Sequence, residues 1–560
     1  MIHQHSRIIR RYYGSQVMDL ILTAVQEECD LQSSLIFDTF RDSREIDRII
    51  HDIKNYGYPI LVNAIYRAQE NDEVQQDDAN LISLAQVANL VVEMSSMMNH
   101  WAMYCKFFVV TWNEAIKTED KTQAIYPKPL LTSTFMGKIR QILTKDFDTL
   151  CTFAVRRTLE KSYLMENIPE LTPQLSLCVK YLGMVSKNIH KSTNQSLLSL
   201  IPEDPPVSSM IDDVLMSLNM IMLHALSSGE FTTIKSMISN MKRLIETDFL
   251  NILKKKLEEN QPRANTVLLN SATIRNIQMQ QQPNSFYAGS QTGSSANLNG
   301  SRSGTPDVMG GSYLVKSINA AININGTEEE NSTRLTNFII TLNSISQFQS
   351  YLEKLAENLI TKLEKDNLLF LDDQQFSQVL QSFEHDSKTT IELSVNLVTS
   401  AGTTETPSVQ DRIKVIIHTL SSSFNDKSSK TINSQLTMMF NQVFRTKLAR
   451  LINETFTDGE YLVSSDRSSS LSGTSGSIIN FIKEWNSLVI PYLTTMYKSN
   501  FLKLMKSIVK FISSSLESKI WSLDKNCNEL GAAKLERDVS AIISEITKFD
   551  YSLRNEFIRS

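Results

Sequence analysis

Apolar residues recur along this chain at steps of three and four, separated by acids, glutamines and serines, which is the pattern of helices that bury one face. From Gln16 to about Ala68 the spacing includes Val17, Leu20 and Ile21, then Leu31 and Leu35. A second block from Asn80 to about Glu119 carries Trp101, Tyr104, Phe108 and Trp112 on one side, with Phe107 close by. Such a stripe could grip a partner helix, but rings at this spacing more often form the core of a helix bundle, and that reading is preferred. Pro127 and Pro129 interrupt the pattern, and Pro202-Glu203-Asp204-Pro205-Pro206 interrupts it again.

The clearest helix start follows that second break. Ser208 and Ser209 are predicted to cap it, and Asp212 and Asp213 sit in the first turn, where the helix dipole favours negative charge. Ile211, Val214, Leu215, Leu218, Ile221, Met222 and Ala225 trace one apolar face until Ser227-Ser228-Gly229 ends it. A further helix from about Thr232 to Leu257 completes a hairpin of the kind that builds rods and solenoids. Between about Gln261 and Gly311 the character changes to Asn, Gln, Ser and Gly, with six of the chain's 17 glycines between Gly289 and Gly311. Such a stretch cannot bury enough apolar surface to offset the entropy of ordering it, so a disordered insert is predicted, read as a tolerated loop expansion before a regulatory segment.

Helical spacing resumes at Leu335, Phe338, Ile339, Leu342, Ile345, Phe348 and Leu352. Ser/Thr-rich breaks are predicted near 399–408, 421–429 and 464–477, with helices starting near Asp411, Thr431 and Ser477. A last amphipathic helix carries Leu535, Val539, Ile542, Ile543, Ile546, Phe549, Leu553 and Phe557. The expected fold is therefore all-α with one long disordered insert. Its expected division is 1–125, an amino-terminal bundle; 126–260, a middle bundle; 261–312, the insert; 313–476, a helical domain; and 477–560, a carboxy-terminal helical domain.

Composition sharpens this picture at a few points. Seventeen glycines and 13 prolines in 560 residues fall well below the typical shares of about 7% and 5%, too few for the turns of a sheet protein. A net charge of −5 offers no basic field for nucleic acid. The clusters Lys254-Lys255-Lys256 and Arg156-Arg157 are predicted to be solvated helix faces. Five scattered cysteines without a CxxC pair point to a reducing compartment rather than to disulfides or zinc. The longest uncharged apolar run, Leu81 to Val92, is shorter than the roughly 18 to 20 residues that span a bilayer. No signal-peptide pattern follows Met1, and a soluble, cytosolic protein is expected.

No motif for chemistry stands out. Gly137-Lys138 lacks both the earlier glycine and the hydroxyl of a phosphate loop, and HExxH, GxSxG and a strand-linked GxGxxG are missing. His3 and His5 form a close pair at an exposed terminus, His224 reads as a partly buried helix residue, and Asp212-Asp213 is explained by the helix start. No catalytic, cofactor-binding or metal-ligating residue is predicted, no cofactor is expected, and no enzyme activity either.

Several short stretches then occur in an informative order. Tyr12-Tyr13-Gly14, with Glu28-Cys29-Asp30 in the following helix, is similar to the YYG…ECD stretch of the family of fourth subunits of the conserved oligomeric Golgi complex. Ser208-Ser209-Met210-Ile211-Asp212-Asp213-Val214 and Ala225-Leu226-Ser227-Ser228 resemble its SSMVDDV…ALSS helix, and Glu246-Thr247-Asp248-Phe249 its ESDF. Leu342-Asn343 sits where the family has LNN, and Leu530-Gly531 with Ser552-Leu553-Arg554-Asn555-Glu556-Phe557-Ile558-Arg559 resembles its LGG…TIRDKFARL ending.

The resemblance spans nearly the whole chain apart from the polar insert. It implies a fold of elongated stacked helical bundles and a non-catalytic helical-rod tether on the cytoplasmic face of Golgi membranes, peripherally attached and also cytosolic. Its role would be retrograde intra-Golgi vesicle capture, which maintains the placement of glycosylation enzymes. Implied partners are the other subunits of that complex, SNAREs and a Sec1/Munc18-type regulator, with no nucleic acid; the partner-binding residues stay unknown. A subunit of a related tether such as the exocyst, or a generic helical scaffold, is the alternative.

The family has a further helical or coiled-coil segment before YYG and continues past Arg559, so a chain shortened at both ends relative to it is expected. Contacts with the SNARE machinery ascribed to that first segment would be lost with it. The resemblance further implies that Arg559 is a structural arginine, paired in the family with a later acid.

Overall fold

The computed structural model describes residues 2–66, 82–116, 127–187, 200–269 apart from 203 and 265, 274 and 277, 312–366, 409–457, 460–462, 475–523, 527–550 and 552–559. Every regular element among them is helical. In chain order these are α1 (Ile2–Ser43), α2 (Ile46–Asn55), α3 (Pro59–Tyr66), α4 (Leu84–Ile116), α5 (Lys128–Leu131), α6 (Thr134–Lys138), α7 (Thr144–Leu164), α8 (Thr172–Lys187) and α9 (Met210–Ser227). There follow α10 (Phe231–Leu244), α11 (Leu250–Glu259), α12 (Ser312–Asp366), α13 (Val409–Met439), α14 (Arg445–Thr455), α15 (Gly476–Thr495), α16 (Lys498–Ser522), α17 (Glu529–Thr547) and α18 (Ser552–Arg559). Single π-helical turns at Ile139–Leu143, Ile245–Phe249 and Phe440–Phe444 join α6 to α7, α10 to α11 and α13 to α14 without a break.

The chain forms two compact units, each drawn from three stretches of sequence. Unit 1 comprises 1–167, 209–255 and 348–428; unit 2 comprises 168–208, 256–347 and 429–560. This spatial grouping is a different level of organisation from the sequential division into five segments.

Unit 1 is built around α7. Its buried residues, including Phe147, Leu150, Cys151, Phe153, Val155, Arg157, Leu159 and Glu160, lie on more than one side, so α7 is covered on several sides by α2, α3, α4, α9 and α10. The predicted aromatic stripe is core, as expected: Trp101, Phe108 and Trp112 are buried, and the Trp101 ring meets Phe135 edge-on at 4.8 Å. Phe249, Phe348 and Phe424 form a second aromatic cluster, with centroids 4.5 and 5.0 Å apart. The expected hairpin is also present as α9 and α10, and the predicted apolar face from Ile211 to Ala225 is buried except for half-exposed Leu215. In unit 2, α15 packs on α8, α14, α16 and α17, around fully buried Phe481 and Trp485.

The structure departs from the sequence pattern in several places. The first predicted helix starts earlier, at Ile2, and is kinked at Gly14, whose φ of 84° suits glycine. Within this region the left-handed Glu45 (φ 50°) and Tyr58 (φ 48°) divide the chain into α1, α2 and α3. The break predicted at 421–429 does not exist. There Ile413, Ile417, Leu420, Phe424, Ile432 and Leu436 keep one stripe buried, while the Ser428 hydroxyl donates to the Phe424 carbonyl at 2.6 Å. Serine hydroxyls that return to the preceding turn are tolerated inside a helix when packing holds it.

The last predicted helix is divided at Asp550, whose carboxylate accepts the Ser552 N–H at 2.7 Å and opens α18. Ser208 and Ser209 do not cap α9. The Ser209 hydroxyl accepts the Asn167 N–H at 2.9 Å instead, and Ser209 itself has helical angles. The predicted insert 261–312 lies mostly outside the described residues; near its start Thr266, Leu268 and Ile277 are buried.

Candidate functional site: buried polar junctions

Arg156 and Arg157 correct the prediction of a solvated face. Arg157 is 4% exposed, because its side of α7 is packed against other helices of unit 1. Its guanidinium donates to Glu160 at 2.9 Å and to the Tyr56 hydroxyl at 2.8 Å. Glu160, fully buried, also accepts from the Tyr56 hydroxyl at 2.8 Å and from the backbone N–H of Leu61 at 3.2 Å. Leu61 lies in the first turn of α3, where backbone N–H groups lack intrahelical partners, so Glu160 serves α3 as an anionic cap supplied by another helix. Arg156 donates to Asp248 at 2.8 Å and lies over the Tyr58 ring. Burial, then the Glu160 hydrogen bond, pushes the Tyr56 hydroxyl well above its ordinary pKa, and burial pushes Tyr58 up to about 12.

Unit 1 repeats this scheme. Asp30 accepts from the Ser133 hydroxyl at 2.7 Å and the Thr134 N–H at 2.9 Å, while Arg140 pairs with buried Glu230 at 3.1 Å. Thr144 and Thr233 hydroxyls meet at 2.8 Å.

In unit 2 the corresponding junction is neutral. Asn343, fully buried on α12, donates to the carbonyls of Thr495 at 2.7 Å and Pro206 at 3.2 Å, and accepts the Tyr497 N–H at 2.8 Å. One amide thus closes the corner between α15 and α16 and ties down the loop before α9. Its neighbours complete the work: the Ser344 hydroxyl accepts the Ser208 N–H at 2.9 Å, and Ser346 donates to Asn500 at 3.0 Å.

A third junction explains Gly531. A β-carbon there would stand 1.7 Å from the Tyr461 carbonyl oxygen. The same backbone carbonyl accepts from Asn528, whose side chain caps α17 by accepting the Gly531 N–H at 2.8 Å. The buried Tyr461 hydroxyl donates to buried Asp538 at 3.3 Å.

The other residues singled out in the sequence are placed as follows. Asp212 and Asp213 are exposed in the first turn of α9. His224 is half-buried, and burial, then nearby Lys362, lowers its pKa. His5 is exposed. Of the lysine cluster, Lys255 donates to the Asn63 carbonyl at 3.0 Å. Arg559 ends α18, and its side chain lies outside the described residues. Cys105, Cys151 and Cys178 are buried free thiols; burial pushes Cys178 up to about 12.

Among the described residues no group of three or more His, Cys, Asp or Glu is arranged to hold a metal ion. A cleft of about 750 Å³ is lined by Ser43, Arg44, Glu45, Gln86, Asn89 and Glu93, with Arg44 and Glu93 paired at 2.6 Å. One helix among those described, Met210–Ser227, is long and apolar enough to cross a membrane, and its apolar face is buried within unit 1.

Sequence reasoning missed Glu160 and its partners, although a signal existed. An i, i+3 charged pair set among Phe153, Ala154, Val155 and Leu159 has no polar face to sit on.

Helical units pinned internally by polar junctions whose donors and acceptors satisfy one another define an all-helical bundle protein. Comparison with known proteins specifies it. The family description "COG4 transport protein, middle alpha-helical bundle" matches residues 1–257, and "Conserved oligomeric Golgi complex subunit 4, C-terminal" matches 338–560. The chain belongs to the conserved oligomeric Golgi complex subunit 4 family; the related-tether alternative is not favoured. It is 23% identical over its full length to the subunit 4 protein of Saccharomyces cerevisiae, of which it spans 62%. It is 25% identical over 210 residues to that of Schizosaccharomyces pombe, covering 36% of this chain and 28% of the relative. No solved structure matches it.

Proposed function

We propose that this chain acts as a non-catalytic subunit of the conserved oligomeric Golgi complex, in retrograde intra-Golgi vesicle tethering that keeps glycosylation enzymes in place. The observation that carries this reading is the ordered match of two descriptions of one family over 1–257 and 338–560. Its partners are the other subunits of the complex, SNAREs and a Sec1/Munc18-type regulator. It works at the cytoplasmic face of Golgi membranes, held there through the complex, and also in the cytosol. A tether needs several modest docking surfaces, which multiply one another's affinity once they are joined. Arg559, at the carboxy-terminal end of α18 where a cation complements the helix dipole, is proposed as a structural arginine.

Affinity purification of the tagged chain from its native cytosol, followed by mass spectrometry, tests the reading. Recovery of the remaining complex subunits is expected. A folded chain that brings down none of them overturns it.

A further inference from the structure

Helix α1 carries apolar residues on two nearly opposite faces. Met18, Leu22 and Phe37 are buried in unit 1 together with Gln26 and Asp30. Leu20, Leu31 and Leu35 are 70%, 64% and 62% exposed, and Ala24 is exposed between them. At 3.6 residues per turn, positions 20, 24, 27, 31 and 35 fall on one strip roughly 20 Å long. Scattered apolar residues on a surface need no explanation, but three exposed leucines and an alanine in helical register over four turns, interrupted by Glu27, form a seam.

The charges that α1 itself carries along this seam have one sign. Glu27 lies on the strip and Glu28 at its edge, Asp38 and Asp42 lie beyond its carboxy-terminal end, and no lysine or arginine occurs in α1 between Arg11 and Arg41. Asp38 is paired with Lys138 at 2.9 Å, and Glu28 accepts from Gln32 at 2.8 Å.

We infer that the Leu20–Leu35 strip of α1 docks a single amphipathic helix of another polypeptide, whose apolar seam is flanked by lysines or arginines. Charge selects this occupant. A second copy of the chain would set Glu27 and Glu28 against their own kind, and an anionic lipid surface would be repelled. The inference rests on the scaffold reading above, for which it supplies one docking surface and the chemistry of its partner.

The test uses the whole chain and two labelled 28-residue synthetic helices with leucine at heptad positions a and d. One carries lysine at e and g, the other glutamate. Fluorescence anisotropy is expected to show binding of the lysine peptide, weakening as salt screens the pairing. The variant Leu20→Ser/Leu31→Ser/Leu35→Ser should lose about 30-fold in affinity or more, while far-UV circular dichroism stays unchanged, because all three side chains are exposed. Glu27→Lys/Glu28→Lys should transfer the preference to the glutamate peptide.

Failure of the lysine peptide to bind, equal binding of both peptides, or indifference to the leucine substitutions overturns the inference. So does self-association in sedimentation, or flotation with phosphatidylserine vesicles, if the triple-serine variant abolishes it. Co-purification of the tethering subunits is scored separately. If it fails while peptide selectivity holds, the tether reading falls and the strip stands; the reverse result removes only the strip.

Discussion

The two units solve one problem, polar groups trapped between helices, with different chemistry. Unit 1 buries charge: Asp30, Asp146, Arg157, Glu160, Glu230 and Asp248 are all below a tenth exposed. Unit 2, among its described residues, buries Asp538 and the Lys548 side chain, paired with Glu545, but its central junction is neutral, made of Asn343, Ser344, Ser346, Thr495 and Asn500. The groups that need partners account for the contrast. Glu160 and Asp30 answer backbone N–H groups at helix starts, which an anion satisfies best. Asn343 faces two carbonyls and one N–H at a corner between helices, and an amide offers donors and an acceptor from a single group. The sign of the orphaned backbone group thus selects the side chain.

The contrast predicts unequal sensitivity, with the largest effect at the ionic junction. Glu160→Ala leaves Arg157 as a buried, uncompensated cation and should cost about 3–5 kcal/mol. Hydrogen exchange should rise in peptides from α2, α3 and α7 well before it rises in α15 or α16. Replacing both partners, Arg157→Met with Glu160→Leu, should recover part of the loss. A double variant no better than Glu160→Ala would mean that the carboxylate matters as the cap of α3, apart from its ion pair.

Unit 2 is expected to lose somewhat less at each site. Asn343→Asp sets a second oxygen against the Thr495 and Pro206 carbonyls and should cost on the order of 2–3 kcal/mol, read as faster exchange at the α15–α16 corner. Gly531→Ala should be of similar size, because the obstructing atom is a backbone carbonyl that cannot swing aside. Wild-type exchange in α17 of the Gly531→Ala protein would show that the Tyr461 loop moves freely, and with it the claim of a tight junction would fall.

How far these features were legible follows from the same physics. Helical periodicity reveals which face is apolar, so the aromatic stripe, the α9–α10 hairpin and the face from Ile211 to Ala225 could be read directly. Periodicity is silent on α7, where residues are buried on several sides and Arg156-Arg157 looks like any solvated pair. A serine run such as 421–429 has the composition of a terminator, whereas Ser428 is buried and bonded back along its own helix. Asn343 and Gly531 were noticed only as parts of family-like words. Their reasons, a corner to close and a carbonyl 1.7 Å from a would-be β-carbon, depend on residues far away in sequence.

A smaller effect of opposite direction should come from a carboxylate that has no cation. Asp148 accepts from the Ser236 hydroxyl, while its other oxygen is buried without a hydrogen-bond partner, and burial pushes its pKa from 3.8 up to about 6. The folded chain therefore holds this proton more tightly than the unfolded chain. Stability from this group is full below about pH 4, falls as pH rises towards 6, and is flat beyond. Asp148→Asn should thus stabilise unit 1 at pH 7 by about 1–3 kcal/mol, with the difference from wild type shrinking towards pH 4. Denaturant titrations of both proteins at pH 4, 5, 6 and 7 test this; a difference independent of pH would assign the effect to packing instead.

The smallest effect isolates burial as the variable. Lys138 and Asp38 approach to 2.9 Å, the same distance as Arg157 and Glu160, but their side chains are 32% and 58% exposed against 5% and 0%. Solvent screens the first pair, and ordering two long side chains consumes most of what Coulomb attraction gains, so Asp38→Asn should change stability by less than about 0.5 kcal/mol. Its effect should also shrink further in high salt, whereas that of Glu160→Ala should not. If the two substitutions destabilised unit 1 equally, distance alone would govern both pairs, and the buried carboxylate would have no special standing as the pin of α7 against α2 and α3.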